Sequence, residues 1–344
     1  MSTRLTIDDL AKRLDLSPAA VSYALNNRPG VSQQTRDRVQ ALARDLGWFP
    51  SSSARALSNS KTGSIGIILS RDPELIGTEP YFMQIIAGVE QVLIEADMSL
   101  TLRMVSPQSG ADLAIYERWA GERRVDGVIL FDEHIDDPRL PLLTRLGLPA
   151  VLQGGPSEGS NVRSVQTDDE SVAEMVVDAF ATAGHQQVLH LTGPLRMMHE
   201  KRRVRALTTQ ARRRSLDIEV IEGDYTLERA RDLITQRLRT APPPTAIACS
   251  SDLMAIGTLH AIEESAWQVG SDISLISWDD SLLCSVSRPA VTAVNRHPFE
   301  YGRRTAQALL QSIKGGPDHD PEPTPSRLVQ RQTTGPAPGW QAEA

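Results

Sequence analysis

The sequence predicts two parts of different fold class: an N-terminal all-α helix-turn-helix head with a hinge helix, and an α/β core of two lobes with parallel sheets. Capped helical patterns fill the head, whereas short apolar runs alternate with amphipathic segments from Ser64 onward. Charge divides the chain at the same place. Residues 1–61 carry nine Lys or Arg and five Asp, a balance of +4, whereas the remainder carries 27 basic and 38 acidic residues, a balance of −11. Only the head suits a phosphate backbone.

Length and composition are typical of a soluble globular protein with roughly two or three domains. The chain has 344 residues, of which 40% are hydrophobic and 23% charged. No apolar run approaches the roughly 20 residues of a membrane-spanning helix, and the first residues lack the apolar stretch of a signal peptide, so we expect a cytoplasmic location. Cys249 and Cys284 show no CxxC spacing, which argues against a disulfide framework or a zinc site and favours two small buried side chains.

Two short helices with a tight break are predicted at the start of the head. Thr6 suits an N-cap, is followed by two aspartates in the first turn, and precedes apolar residues at helical spacing. After a few residues, Ser17 and Pro18 restart a helix with a capping hydroxyl and a proline in the first turn, where its missing N–H costs nothing. This second helix should run to about Leu25.

The second helix has two different faces. Val21 and Leu25 share one face, whereas a second face is free to enter a major groove and carries Pro18, Ala19, Ser22 and Tyr23. A loop follows, and Ser32 then caps a third helix whose apolar stripe consists of Val39, Leu42 and Leu46. Three such helices can bury one small core.

The segment after the third helix favours a DNA-binding protein over the many other proteins that contain helix pairs. Trp48-Phe49-Pro50 ends the third helix, and residues 51–58 form a short, capped, helix-compatible stretch with little apolar surface. Such a stretch should not stay helical alone. The run IDDLAKRLDLSPAAVSYALNNRPGVSQQTRDRV, with LGWFPSSSARALS after it, resembles the DNA-binding head of the lactose-repressor (LacI/GalR) family.

The resemblance implies roles for individual residues of the head. The exposed face of the second helix would read the groove, Asn26 and Ser32 would lie near phosphates, and the hinge would fold on DNA. Leu57 would be an apolar wedge that enters a minor-groove step and kinks the duplex, the alternative being an ordinary linker leucine. The DNA-binding residues expected from the family are Thr6, Ser17, Pro18, Ala19, Ser22, Tyr23, Asn26, Ser32, Ser53, Ala54 and Leu57.

Two departures from the family pattern affect the head. Asp15 replaces the usual turn glycine, but Asp tolerates the left-handed conformation, so the turn should survive. Tyr23 replaces a frequent arginine. Pro18 and Ala19 cannot form bidentate hydrogen bonds to base edges, so they would discriminate by apolar contact, for instance with thymine methyl groups. The operator sequence therefore cannot be inferred from this helix.

Strands and helices alternate through the acidic remainder in two series. The strands of the first series are SIGIILS, SLTLRMV, VDGVILF and PAVLQ, with helices at YFMQIIAGVEQVLIEA and near 109–121 and 139–146. The strands of the second are VRSVQT, QVLHLTG, DIEVIEG, TAIACS and DISLISW, with helices from Asp168 to Ala183 and near 200–214, 226–240 and 252–266. Two lobes with parallel sheets are expected.

This order resembles the periplasmic-binding-protein-like core of the same family, in which a ligand lies in the cleft between two lobes. The resemblance implies chain crossings between the lobes near 161–164, 291–295 and 322–326. The expected domains are a helix-turn-helix domain at 1–49, a hinge helix and linker at 50–63, a core N-subdomain at 64–161 and 292–322, and a core C-subdomain for effector binding and dimerisation at 162–291 and 323–338.

The end of the sequence bears on assembly. The segment GGPDHDPEPTPSRLVQRQTTGP is rich in proline and then extended, and no heptad repeat follows it. This argues against the C-terminal tetramerisation helix of some relatives. We therefore expect a homodimer, its interface built by the core, that reads a pseudo-palindromic operator in double-stranded DNA.

The family pattern also implies residues of an effector site. Arg203 stands at the position of the pocket arginine, whose rigid fork suits paired hydroxyls or carboxylates, although a solvated basic helix face is the alternative. Asp279 follows an apolar strand at its carboxyl end, where open α/β sheets bind ligands. Tyr225 stands where an aromatic ring often stacks on a sugar, with an exposed loop tyrosine as the alternative. The expected effector-binding residues are Arg203, Asp279, Tyr225, Phe82, Ser251 and Arg296.

Several neighbours of these residues are ambiguous or depart from the pattern. Asp280 is expected to brace its loop, and Asp252 could cap a helix instead of touching ligand. Tyr81 and Phe82 could line the cleft or pack in the core. Gly154 falls where many sugar-binding relatives carry aspartate, which removes a hydroxyl acceptor and weakens assignment to any particular sugar.

Enzyme chemistry has little support in the sequence. Residues 155–159 match the hydrolase string GxSxG, but they lead into another extended run, whereas a nucleophile elbow needs a strand, a sharp turn and then a helix. No HExxH, GxGxxG or P-loop string occurs, so no metal or cofactor is expected. A periplasmic solute-binding protein would share the core but would have a signal peptide and no helix-turn-helix. We predict a ligand-responsive transcriptional regulator, a repressor of a catabolic or transport operon, whose effector is a sugar or related small polar metabolite.

Overall fold

The chain divides into two compact units, Met1–Thr62 and Gly63–Ala344. A computed structural model describes residues 5–48, 61–71, 79–106, 109–155, 161–240, 242–316 and 324–339. The first unit contains the head, and the second contains the core.

Residues 5–48 of the head form three helices, as the sequence predicts: α1 (Ile7–Leu14), α2 (Pro18–Leu25) and α3 (Gln33–Asp45). Each begins at the predicted hydroxyl. Thr6 accepts a hydrogen bond from the Asp9 amide while the Asp9 carboxylate accepts one from the Thr6 amide, and Ser17 and Ser32 cap the other two helices. These bonds satisfy donors that every helix N-terminus leaves unpaired.

The helices of the head pack around six buried apolar residues, which are Leu10, Ala11, Val21, Ala24, Val39 and Ala43. The turn between α1 and α2 passes through Asp15 in the left-handed conformation at φ 56°, so the expected tolerance of Asp there is confirmed. The Trp48 indole donates to the Leu5 carbonyl over 2.7 Å. This bond joins the two ends of the described head.

The first lobe of the core is a five-stranded parallel sheet with strand order β2-β1-β3-β4-β5. Its strands are β1 (Ser64–Ser70), β2 (Ser99–Val105), β3 (Gly127–Leu130), β4 (Ala150–Gln153) and β5 (Arg163–Val165). Its helices are α4 (Pro80–Glu95), α5 (Ala111–Gly121) and α6 (Arg139–Leu146). Strands buried on both faces produce the continuous apolar runs seen in the sequence.

The second lobe is a six-stranded sheet with strand order β11-β10-β9-β8-β6-β7. Its strands are β6 (Gln187–Thr192), β7 (Asp217–Glu222), β8 (Ala246–Cys249), β9 (Ser274–Ser277), β10 (Thr292–Asn295) and β11 (Arg327–Val329). Its helices are α7 (Asp169–Thr182), α8 (Met198–Arg213), α9 (Leu227–Leu238), α10 (Asp252–Glu263) and α11 (Leu282–Val286). Among the described strands, β11 alone runs antiparallel to its neighbour.

A further helix, α12 (Pro298–Lys314), belongs to the first lobe. Its Tyr301, Ala306 and Leu309 are buried in the same apolar cluster as residues of β1 and α4. The backbones of α12 and α4 approach so closely that a Cβ at Gly88 would lie 2.0 Å from the Phe299 carbonyl oxygen. This contact requires glycine.

Two predicted crossings between the lobes are wrong in position. The run containing β5 was expected to begin the second lobe, but β5 pairs with β4, so the first crossing lies after Val165. Residues 291–295 were expected to form the second crossing, but β10 pairs with β9, so this crossing lies between Asn295 and α12. The apolar alternation of a short strand identifies the strand but not the sheet that it joins.

Two other features follow from burial and helix length. Cys249 and Cys284 are both buried and unpaired with one another, as predicted for small core side chains. No helix in the described residues has the length and apolar character needed to span a membrane.

Candidate functional site

A cleft lies between the two lobes of the core, beside the carboxyl ends of several strands. The space between the side chains that line it is about 680 Å³, part of which is open solvent. The six residues that the family pattern singled out all line this cleft: Phe82 from the first lobe, and Arg203, Tyr225, Ser251, Asp279 and Arg296. Tyr81 lines it as well.

Arg203 is buried in the wall of the cleft. Its Nη1 donates to Glu200 Oε1 over 2.8 Å and to the Ser250 carbonyl over 3.2 Å, and its guanidinium lies over the Trp278 ring at 5.4 Å from the centroid. The alternative of a solvated helix face is wrong for Arg203. The solvated basic face of the same helix consists instead of the exposed Lys201 and Arg205.

Glu200 organises this wall, and the sequence analysis missed it. The Glu200 carboxylate is fully buried and accepts hydrogen bonds from donors in five residues. Burial alone would raise its pKa, but the Arg203 guanidinium and the hydroxyl donors lower the pKa well below its usual value, so it is ionised. In the sequence, only its position three residues before Arg203, on the same helix face, could have indicated that Glu200 belongs to the site. The donors are Thr192 Oγ1, the Gly193 amide, Arg203 Nη1, Tyr225 OH and Ser250 Oγ.

Tyr225 is buried against the same carboxylate, so the alternative of an exposed loop tyrosine is wrong. Its hydroxyl donates to Glu200 Oε1 over 2.7 Å and lies 2.7 Å from His199 Nε2, and its backbone is left-handed at φ 71°. A Cβ at Gly193 would lie 2.2 Å from the tyrosine ring, so the glycine leaves the ring its space. Burial, with a smaller contribution from the charge of Arg203, lowers the pKa of His199 to about 4, so the imidazole is neutral at pH 7.

The first lobe contributes a second charged group that the sequence analysis missed. Arg71, directly after β1, donates to both oxygens of Asp132 over 2.8 and 3.0 Å and to Glu79 over 3.3 Å. Burial opposes ionisation of Asp132, but Arg71 lowers its pKa to about 2. Glu79 differs: burial raises its pKa to about 7 although Arg71 opposes the rise. Arg71 and Asp132 both follow strands at their carboxyl ends, which is the signal that could have found them.

Asp279 forms an ion pair inside the cleft. Arg296 donates to Asp279 Oδ1 through Nε over 3.1 Å and through Nη2, and its guanidinium lies 5.0 Å from the centre of the Tyr81 ring. Asp280 accepts from Arg331 Nη2 over 2.8 Å, as expected for a residue that braces the loop. The two adjacent aspartates therefore have separate partners and do not act as a pair.

Ser251, and not Asp252, is the N-cap of α10. Its Oγ accepts from the Met254 amide over 3.3 Å, so the alternative that made Asp252 the cap is wrong. Asp252 is the first helical residue, and its side chain lines the cleft, where it is 4% exposed. Its Oδ1 accepts from the Leu253 amide over 2.8 Å. Its Oδ2 is buried and has no hydrogen-bond partner among the described residues.

A second residue that lines the cleft has a buried polar atom without a hydrogen-bond partner in the described structure, the donor Gln153 Nε2. Arg203 Nε also lacks a hydrogen bond, but it lies 3.7 Å from Asp169 Oδ1, with which it forms an ion pair. A buried polar atom without a partner costs free energy, so Gln153 and Asp252 favour a ligand that completes their bonds. The described residues contain no cluster that could hold a metal ion.

The head presents the predicted face of α2 to solvent. Pro18, Ala19 and Tyr23 are exposed, and Ser22 is half-buried. The Asn26 amide donates to the Ser22 carbonyl over 2.9 Å, which holds it at the end of the helix. The hydroxyls of Thr6, Ser17 and Ser32 cap their helices. Ser53, Ala54 and Leu57 of the expected hinge, and residues 156–159 of the GxSxG string, lie outside the described residues.

A helix-turn-helix unit followed by a two-lobed core with a polar cleft defines a class: DNA-binding regulators that respond to a small ligand. Comparison with known proteins agrees with both parts. Residues 6–51 match the model of bacterial regulatory proteins of the lacI family, and residues 177–334 match the periplasmic binding protein-like domain. The chain therefore has the two domains of a lacI-family transcriptional regulator, a DNA-binding head and an effector-binding domain.

The relatives cover nearly the whole chain. The HTH-type transcriptional regulator AglR of Rhizobium meliloti is 29% identical over 343 residues, which are 97% of this chain and 95% of AglR. The Lac repressor dimer bound to operator and the anti-inducer ONPF has a TM-score of 0.83 at 26% identity, covering 97% of this chain and 100% of that chain. The complex of the regulator CelR with cellobiose has a TM-score of 0.72 at 25% identity, covering 96% and 100%.

Proposed function

We propose that this regulator binds a sugar or related small polyhydroxylated metabolite in the cleft and represses a catabolic or transport operon. The observation that carries the proposal is a pair of buried atoms without hydrogen-bond partners among the described residues, the donor Gln153 Nε2 and the acceptor Asp252 Oδ2, on two residues that line one cavity. Hydroxyl groups both donate and accept, so a polyhydroxylated ligand can satisfy both atoms. The cellobiose bound to CelR is a ligand of this kind in a relative.

The proposed switch is a linkage between the cleft and the operator. A ligand that binds one arrangement of the lobes more tightly shifts the population toward it, and the operator affinity changes by the same coupling free energy. Arg203 and Asp279 come from separate segments of the second lobe, and Phe82 comes from the first, so a ligand that contacts all three joins the lobes.

A ligand screen followed by operator titration tests the proposal. Sugars, polyols and their derivatives are screened by thermal shift on the full chain, and each stabilising ligand is added to an operator-binding titration. We expect at least one to change operator affinity by about fivefold or more. Asp279→Ala should remove this response without weakening operator binding by the free protein. If no stabilising ligand changes the operator affinity, the proposed linkage between the cleft and the operator is refuted.

The DNA-binding surface is proposed to be the exposed face of α2 together with the hinge. Pro18, Ala19 and Tyr23 offer mainly apolar contact, so base discrimination would rest on methyl groups and on the deformation of the duplex. Leu57→Ala should abolish most of the operator bending, measured by gel phasing or energy transfer across the site, and leave the fold intact. If the Leu57→Ala protein bends and binds the operator as the unchanged protein does, Leu57 is not the wedge.

We also propose that the protein acts as a homodimer whose interface is built by the core. Leu282 and Val286 on α11 are 73% and 56% exposed, and Ile94 on α4 is 74% exposed, which is a high exposure for large apolar side chains. Leu282→Asp should convert the dimer to a monomer in sedimentation equilibrium and weaken operator binding. Val220→Asp on β7 serves as the matched change at another exposed apolar site. A Leu282→Asp protein that remains dimeric would exclude this face.

A further inference from the structure

The acidic side chains of the cleft outnumber its cations. The arginines that line the cleft among the described residues are Arg71, Arg203 and Arg296. Each has a carboxylate partner within ion-pair distance, so each arginine charge is already compensated. The partners are Asp132, Glu200 and Asp279, respectively.

Two further carboxylates face the same cavity, one from each lobe. Glu79 lies just before α4 and shares Arg71 at 3.3 Å with Asp132, which binds that arginine through two closer bonds. Asp252 begins α10 and has no ion pair among the described residues, and its buried Oδ2 has no hydrogen-bond partner there. The cleft therefore holds an excess of carboxyl groups over arginines, which are Glu79 and Asp252.

The chain has no further lysine or arginine that could compensate this charge from the parts of the core outside the described residues. Those stretches, residues 72–78, 107–108, 156–160, 241, 317–323 and 340–344, contain neither Lys nor Arg, and their one histidine is His319. The neighbouring His199 is neutral at pH 7 because burial lowers its pKa to about 4. A cationic group of a ligand would compensate the charge of the ionised carboxylates.

The titration of the two carboxylates reflects this excess. Burial is the main cause that raises the pKa of Glu79 to about 7; Arg71 opposes the rise, and the charges of Asp132 and Asp252 contribute to it. Burial, with a smaller contribution from the charge of Asp279, likewise raises the pKa of Asp252 to about 6. Two carboxylates that repel one another across a cleft bind a cation more readily than an anion.

Gln153 provides an independent sign of a polar ligand. Its side chain is 8% exposed and lines the cleft, and its Nε2 donor has no partner in the described structure. Gln153 belongs to the first lobe and is not acidic, so it reports on the ligand separately from the carboxylates. It calls for an acceptor, and a hydroxyl or ring oxygen of a sugar supplies one.

We propose that the effector is a polyhydroxylated amine, such as an amino sugar, whose ammonium group lies between Glu79 and Asp252. The inference rests on the proposed function, since it assumes that a polyhydroxylated ligand occupies the cleft. An ammonium has three donors and a full positive charge, so it satisfies Asp252 Oδ2 and offsets the excess in one contact. A neutral sugar does not compensate the excess negative charge of the cleft, and a sugar acid increases it.

Matched sets of sugars test the inference. Each set contains an amine, its hydroxyl parent and its N-acetyl derivative: glucosamine, glucose and N-acetylglucosamine; the same three forms of galactose; and the β-1,4-linked glucosamine disaccharide with cellobiose and diacetylchitobiose. Thermal shift and titration calorimetry on the full chain give the affinities. In at least one set we expect the amine to bind about tenfold or more tightly than both neutral forms, as a charge-assisted hydrogen bond in a buried site predicts.

Two variants locate the amine. Asp252→Asn and Glu79→Gln should each weaken binding of the amine by about tenfold and change binding of the hydroxyl parent by much less. Asp232→Asn, an exposed carboxylate on α9, is the matched control and should change neither. Equal losses for amine and parent in the Asp252→Asn protein would overturn the assignment of the ammonium to this position.

The outcomes also separate this inference from the proposed function. If a neutral parent binds at least as tightly as its amine in every set, the inference is overturned. Should those neutral sugars still shift operator affinity, the proposed function stands. If no member of any set stabilises the protein or shifts operator affinity, both fail.

Discussion

The head and the cleft differ in the polar and charged side chains that they offer to a ligand. The face of α2 that is free to enter a groove consists of small or apolar side chains, and the hydroxyls around it are occupied in helix caps. The cleft instead buries three arginines and their carboxylates between two lobes. Charge at a solvated surface contributes little, whereas buried charge is costly unless it is paired. We therefore expect single substitutions to change the free energy of unfolding far more in the cleft than in the head.

The largest effect should follow the loss of Glu200. Glu200→Ala removes the nearest carboxylate of the buried Arg203, which keeps Asp169 at 3.7 Å, and leaves five donors without their acceptor. We expect the free energy of unfolding of the core to fall by about 3 kcal/mol, because the closer partner of a buried charge is lost. Chemical denaturation followed by hydrogen exchange measures this, since exchange reports on peptides of the head and of the core separately.

The control for this change is an ion pair at the surface. Glu219 pairs with Arg237 at 2.8 Å, and the Glu219 side chain is 44% exposed. Glu219→Ala should lower the free energy of unfolding by about 1 kcal/mol or less. Comparable losses for the two variants would show that the Glu200 network contributes no more than a surface pair does.

An intermediate effect of opposite sign is expected at Asp252. Its pKa in the folded protein, about 6, lies above the ordinary value of 3.8, so its ionisation destabilises the fold, and the stability that it contributes is lost as the pH rises from about 4 through 6. Asp252→Asn removes this penalty. The variant should gain about 2 kcal/mol in the free energy of unfolding at about pH 8 in the absence of ligand.

The pH dependence distinguishes this cause from a change in packing. The advantage of Asp252→Asn should shrink as the pH falls from about 8 toward 4, because the carboxylic acid is then neutral in the folded and the unfolded chain. Denaturation curves at several pH values give the difference. An advantage that is the same at every pH would rule out titration as its cause. Gain in stability with loss of ligand affinity is a known trade-off at binding sites.

The smallest effect should follow the loss of a cap in the head. Ser32→Ala removes the acceptor for the Thr35 amide, a bond of 3.1 Å at the start of α3. We expect the head to lose about 1 kcal/mol and the core to be unchanged. Gln34→Ala, at an exposed position of the same helix, should change the stability of the head by about 0.5 kcal/mol or less. Exchange rates of head peptides measure both, and equal effects would contradict the cap as the cause.

The sequence alone determined the local structure of the head and most helices and strands of the core. Caps, turn residues and apolar spacing act over a few residues, so Thr6, Asp15 and Ser32 could be interpreted without a tertiary structure. The family pattern also led to six side chains that line one cleft. These signals depend on neighbours in the chain, or on a pattern carried over position by position.

Only the tertiary structure decided which sheet β5 and β10 join, because strand pairing joins segments that are distant in sequence. It also decided the charge balance of the cleft. Glu79 and Asp252 are more than 170 residues apart and come from different lobes, and neither stands out in the sequence from the other acidic residues of the core. Their repulsion arises because the lobes bring them into one buried space, where water no longer screens their charge.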